Sequence, residues 1–82
     1  SSKMDKSDVL KFLNNFKIYN FDLNSSKKAA EIFEDLKSKG EIIELPDIMI
    51  ASISIVNNEI LITENINHFA RIKDLKLESL AN

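Results

Sequence analysis

Apolar positions along the chain keep two rhythms, one near four residues and one near two. Val9, Phe12, Leu13 and Phe16 stand at the i, i+3, i+4, i+7 spacing of one helical face. That spacing predicts a helix over about residues 8–16, with Ser7 or Asp8 as the cap that accepts first-turn N–H groups. The residues before it, Ser1 to Lys6, are polar and expected to fray. Ile18, Tyr19 and Phe21 within KIYNFDL favour extended chain, and Asp22-Leu23-Asn24-Ser25 reads as a stop, so a short strand is predicted at 17–23. Ala29, Ile32, Phe33 and Leu36 restore the helical rhythm over about 26–39 behind a Ser25 or Ser26 cap. Lys37 and Lys39 suit the negative end of that helix, and Gly40, the chain's single glycine, suits a left-handed closing residue.

After a short extended link at 41–45 comes the most apolar run, Ile48 to Val56. Ala51-Ser52-Ile53-Ser54-Ile55 alternates as a strand would, whereas Pro46-Asp47 is a good helix start and the length suits a buried helix. Periodicity leaves both readings open. Asn57-Asn58 reads as a turn. Glu59 to Thr63 reads as a strand buried on both faces, Asn67 to Ile72 as a helical turn, and DLKLES (74–79) as a last strand. Three short strands alternating with three helices predict an α/β layer fold with parallel pairing. A sheet so small leaves an edge uncovered, which makes the chain read as part of a domain.

Composition narrows the function classes. With 82 residues the chain is one small domain at most. A hydrophobic share of 44% and a charged share of 29% are those of an ordinary globular protein. No apolar run approaches a membrane span or a secretory signal. The absence of cysteine removes thiol and disulfide chemistry and fits a reducing, cytoplasmic setting. A net charge of -2 gives no global attraction to nucleic acid, so any such contact is local or is assisted by metal ions.

Gly40, Asp47, Ile50, Ala51, Thr63, Asn65, His68 and Phe69 follow one another at a recognisable spacing. In order they form a helix ending in LKSKG, the segment PDIMIAS, the segment EILITEN, and HFARIKDLKLES. This order resembles the C-terminal part of a PIN domain, in particular the VapC-type toxins of toxin–antitoxin pairs. In that family an Asp is followed by two residues and Ile-Ala, and a strand ends in Thr-x-Asn or Thr-x-Asp. Two residues later come an acid or His and then Phe. The resemblance implies a parallel sheet flanked by helices, and it implies that Ile48 to Val56 is helical with Asp47 at its start. It also implies a Mg²⁺- or Mn²⁺-dependent ribonuclease acting on RNA, with a protein antitoxin and a second copy of the chain as partners. Residues 1–82 would be the C-terminal part of one PIN-like domain. The family's first strand with its metal-binding Asp, and the helices bearing a Glu, have no counterpart here. By that measure roughly forty residues stand in front of Ser1 in the family.

The resemblance assigns Asp47 as metal ligand and Asn65 as an auxiliary ligand or water-orienting amide, the two catalytic positions, with Thr63 supporting neighbouring carboxylates. Each has a plain structural reading beside it: Asp47 as helix cap, Asn65 as a loop residue bonding its own backbone, Thr63 as an ordinary strand end. Glu64 reads as solvated. His68, the only histidine, reads as a surface or capping residue, because no partner for a catalytic base is evident in the sequence. Arg71, Lys73 and Lys76 read as a solvated edge that could steer phosphates. Phe69 and the stripe of the first helix read as core, the stripe having partner binding as its alternative. A chain lacking the upstream acids could also serve as a non-catalytic interaction or dimerisation module.

Overall fold

A computed structural model describes residues 3–80. Six elements follow one another: α1 (Lys6–Leu13), α2 (Leu23–Ser38), α3 (Leu45–Val56), β1 (Ile60–Thr63), α4 (Ile66–Phe69) and β2 (Lys76–Ser79). β1 and β2 pair in parallel, Ile60 opposite Lys76 and Thr63 opposite Ser79, with α4 in the crossover between them. The fold is α/β with parallel pairing, as the alternation predicts. Among the described residues no helix is long and apolar enough to cross a membrane.

Local chemistry sets each boundary. α1 starts earlier than its apolar stripe suggests, because Asp5 accepts from the Asp8 backbone at 3.0 Å while Asp8 accepts from the Asp5 backbone at 3.2 Å. This reciprocal pair satisfies two donors that the helix cannot use itself. The fraying expected at 1–6 is thus cut short by the cap, and residues 1 and 2 lie outside the described residues. α2 likewise begins three residues before the expected 26, because Asp22 rather than Ser25 or Ser26 is the cap. Its carboxylate accepts from the Ser25 backbone N–H at 2.8 Å, and that bond holds its carboxyl below the ordinary range.

α2 ends at Gly40 with φ 68°. Glu41 N–H bonds the Leu36 carbonyl at 2.9 Å and Gly40 N–H bonds that of Lys37 at 3.1 Å, a paired closure that needs a left-handed residue. α3 closes in the same way, with Asn58 at φ 54° and Glu59 N–H on the Ser54 carbonyl at 2.9 Å. The open question over Ile48–Val56 is settled as helix, with Pro46 in its first turn.

The core lies between α2 and α3 and continues under the sheet. It joins Ala29, Ile32, Leu36, Ile43, Ile48, Ala51, Phe69 and Ile72, with Ile55, Leu61, Leu75 and Leu77 half-buried around it. Ala51 and Ser52 are fully buried, and such small residues let the two helices approach closely. The buried Ser52 hydroxyl donates to the Met49 carbonyl at 2.8 Å.

Three expectations fail here. Residues 17–22 form no strand; Ile18 is exposed and no neighbouring strand offers backbone partners. β1 is not buried on both faces, since Ile60 and Ile62 are about half exposed and the sheet has only two strands. α1 contributes no buried residue, so Val9, Phe12 and Leu13, with Phe16 just beyond, are not core.

Candidate functional site

The site lies where α3 begins and the β1–α4 connection passes. Glu44, not Asp47, occupies the cap position of α3 and makes no side-chain cap bond. Asp47 stands within the first turn, where the helix dipole favours a carboxylate. Its Oδ2 lies 2.9 Å from Nε2 of His68, twenty-one positions along the chain. The side chains are 37% and 22% exposed respectively, so the pair sits at a rim open to solvent.

His68 is therefore not the surface or capping residue its isolation in the sequence suggests. Its ring stacks edge-on against Phe69, with centroids 4.9 Å apart. Arg71, one turn further, brings Nη2 to 3.1 Å from Nδ1 of His68, and its Nε donates to the His68 carbonyl at 3.1 Å. Glu41 completes the row. Its Oε2 lies 3.8 Å from Arg71 Nε, within ion-pair range but beyond hydrogen-bond distance, and that oxygen is buried without a hydrogen-bond partner. Four charged or polar side chains from three parts of the chain thus run Asp47, His68, Arg71, Glu41. Arg71 is consequently no free cation at a solvated edge. Lys76 is also engaged, donating to Asn58 Oδ1 at 2.7 Å.

Hydrogen-bond chemistry fixes the state of the ring. An ionised carboxylate only accepts, and a guanidinium only donates. Nδ1 facing Arg71 must present its lone pair, so the hydrogen sits on Nε2 and is donated to Asp47.

Asn65 opens α4, the single turn that carries His68. Its side chain makes no cap bond, while its backbone N–H donates to Thr63 Oγ1 at 3.0 Å. Thr63 thereby fixes the loop carrying Asn65. Glu64 is exposed. Among the described residues Oδ1 of Asp47 takes no hydrogen bond, and none joins the Asn65 side chain to Asp47, Asn65 standing three positions before His68 in the chain. No group of three His, Cys, Asp or Glu among the described residues could hold a metal ion.

A parallel strand pair flanked by helices, with an acid in the first turn of α3 bonded to the turn that follows β1, defines an α/β class of domain. The sequence pattern of the PIN domain matches residues 2–75, and the chain belongs to that family. Ribonuclease VapC2 of Rickettsia felis (strain ATCC VR-1525 / URRWXCal2) is 38% identical over 68 residues, covering 83% of this chain and 51% of that protein. The structure of VapBC2 from Rickettsia felis, bound to a DNA fragment from their promoter, superposes with a TM-score of 0.78 at 36% identity. It covers 90% of this chain and 56% of its own. DNA-bound VapBC from Salmonella typhimurium gives a TM-score of 0.79 at 23% identity over 89% and 55%, a likeness of fold alone. The chain spans about half the length of the relatives it matches.

Proposed function

We propose that this chain is the C-terminal part of a divalent-metal-dependent endoribonuclease, the toxin of a toxin–antitoxin pair acting in the cytoplasm. Its partners are RNA as substrate, a protein antitoxin and a second copy of itself. The observation that carries this reading is Asp47: a carboxylate at a helix start, partly open to solvent, one oxygen anchored by His68 and the other without a hydrogen bond among the described residues. Membership of the PIN family and likeness to a VapC ribonuclease support it.

Asp47 is a metal ligand, Asn65 an auxiliary one, and Thr63 fixes the turn that carries Asn65. Mg²⁺ or Mn²⁺, when bound, supplies an activated water and stabilises charge on the phosphoryl oxygens. The described residues offer an incomplete ligand set, and the remaining acids belong to the part of the domain that this chain does not span.

The test is cleavage of RNA by the intact protein with and without Mg²⁺. Asp47→Ala is expected to reduce cleavage by on the order of 100-fold or more, with helix content unchanged. Cleavage at the parental rate would end the ligand assignment. The second reading, a non-catalytic interaction or dimerisation module, draws on the wholly unburied α1. An intact protein that binds a partner through α1 and never cleaves RNA would favour it.

A further inference from the structure

Two apolar surfaces of this chain have nothing over them, one a ridge and the other a hollow. The ridge is the stripe of α1. Val9, Phe12, Leu13 and Phe16 are between 41% and 57% exposed, and the rings of Phe12 and Phe16 stand edge-on with centroids 5.1 Å apart. The hollow is a groove of about 650 Å³ between α2 and the start of α3, lined by Phe21, Ala30, Phe33, Leu45 and Met49. An amphipathic helix laid in an apolar groove is a recurring mode of recognition. Yet no α1 residue lines the groove of its own chain. Tyr19 supplies the reason. Its hydroxyl donates to the Glu59 carboxylate across 40 positions, and Lys17 stands over its ring at 5.2 Å. The connection from α1 to α2 is thereby pinned to the turn between α3 and β1, and α1 is held clear of its own groove.

We propose that α1 docks in the groove of a second copy of the chain, whose own α1 docks in return. Resting on the reading of a second copy as partner, this assignment adds where that copy sits. Area decides between one contact and two. With two aromatic side chains of about 150–250 Å² each, the half-exposed stripe can bury on the order of 350 Å², and the groove facing it about as much. One docked helix then removes about 700 Å² from water, the size of a chance contact, whereas the reciprocal pair removes about 1,400 Å², within the range of stable interfaces. The exchange is two-fold, fills both grooves and ends at the dimer. The groove edge carries one acid and one base, Glu34 and Lys37, so apolar burial rather than charge drives the docking. On dilution α1 returns to solvent as a lone short helix.

The chain has no cysteine, so a nitroxide label can be placed at one chosen position. Lys11→Cys carries it on α1 outside the apolar stripe. Spin-labelled chain is mixed with nitrogen-15-labelled parental chain at a concentration where the chain associates. Amides from Ala30 to Lys37 and around Met49 of the parental chain should broaden more strongly than those of α1 or of Ile60 to Thr63. Sedimentation should show monomer and dimer and nothing larger. The equilibrium should hold in about 0.5 M salt, where interactions between exposed charges are largely screened. Ala30→Lys sets a charge in the groove at an exposed position, away from the core and from α1. It should raise the dimer dissociation constant at least about tenfold, since the charge must lose water on docking, with helix content unchanged.

A dimer whose broadening centres on α1 or on Ile60 to Thr63 overturns the docking and leaves a second copy as partner. A chain that is monomeric at every concentration overturns both, so the two failures are distinguishable. Species larger than a dimer overturn the reciprocal exchange. So does a groove broadened only by the label on its own chain, which would mean that α1 folds back. If Ala30→Lys fails to fold, the spin-label mixture still decides, because its groove is parental.

Discussion

Gly40 shows how one residue reaches across this molecule. Its φ of 68° lets α2 close through the Glu41 and Gly40 backbone bonds, and that closure sets Glu41 beside Arg71. A Cβ placed on Gly40 meets nothing within 4 Å, so space does not oppose a side chain there. Only the backbone does. Gly40→Ala is expected to destabilise the chain by about 1 kcal/mol, with Asn, which tolerates the left-handed region, lying between. For a domain of this size that is a fall of about 5 °C in Tm, readable by thermal melting. An unchanged Tm would mean that the helix can close by another route. Gly40 was legible in the sequence because nothing else there could end a helix so sharply. The bond between Asp47 and His68 was not. It depends on a one-turn helix after β1 swinging His68 back over α3, and no local spacing encodes contact between residues so far apart. The resemblance marked both positions, yet the physical partner of His68 emerged only from the fold.

At the scale of elements, legibility followed burial. α2 and α3 pack their apolar faces together, and α2 was readable because Ala29, Ile32 and Leu36 of its periodic stripe are buried, Phe33 alone of the four being exposed. α3 is apolar on nearly every side, so its period was blurred and the strand reading stayed open; the early Pro was the better signal. Residues 17–22 carry strand-forming side chains but lack a neighbour, and propensity does not create a hydrogen-bond partner. α1 is the clearest case of pattern without burial. It has eight residues, a good cap and an amphipathic stripe, but that stripe touches no core. An isolated helix of this length is marginal in water. Its amides should therefore exchange with solvent on the order of 100-fold faster than those of Ala29 to Leu36 in α2, as read by hydrogen-exchange NMR. Equal protection in the two helices would show that α1 is packed against something in solution.

The whole molecule is too open for its length. A compact domain of 82 residues has a radius of gyration of about 12 Å, whereas this chain has 15.5 Å and extents of 50 × 32 × 20 Å. The excess corresponds to apolar faces that meet water. One is the outer side of the sheet, with Ile60 and Ile62 about half exposed. Another is a groove of about 650 Å³ between α2 and the start of α3, lined by Phe21, Phe33, Leu45 and Met49. A third is the α1 stripe. Contiguous apolar surface of this kind drives association unless another surface covers it, and a net charge of -2 opposes association only weakly. The 82-residue chain by itself should therefore self-associate at tens of micromolar, giving sedimentation coefficients that rise with concentration. It should also bind a hydrophobic dye. Charge placed on the sheet face, as in the double substitution Ile60→Lys and Ile62→Lys, should lower the association at least several-fold if that face takes part. The same change in the α1 stripe, Phe12→Lys with Phe16→Lys, separates the helix from the sheet as the contact. A chain that stays monomeric and dye-free across that concentration range would mean that its segments fold back over these faces in solution, and the open arrangement around the Asp47–His68 rim would have to be redrawn.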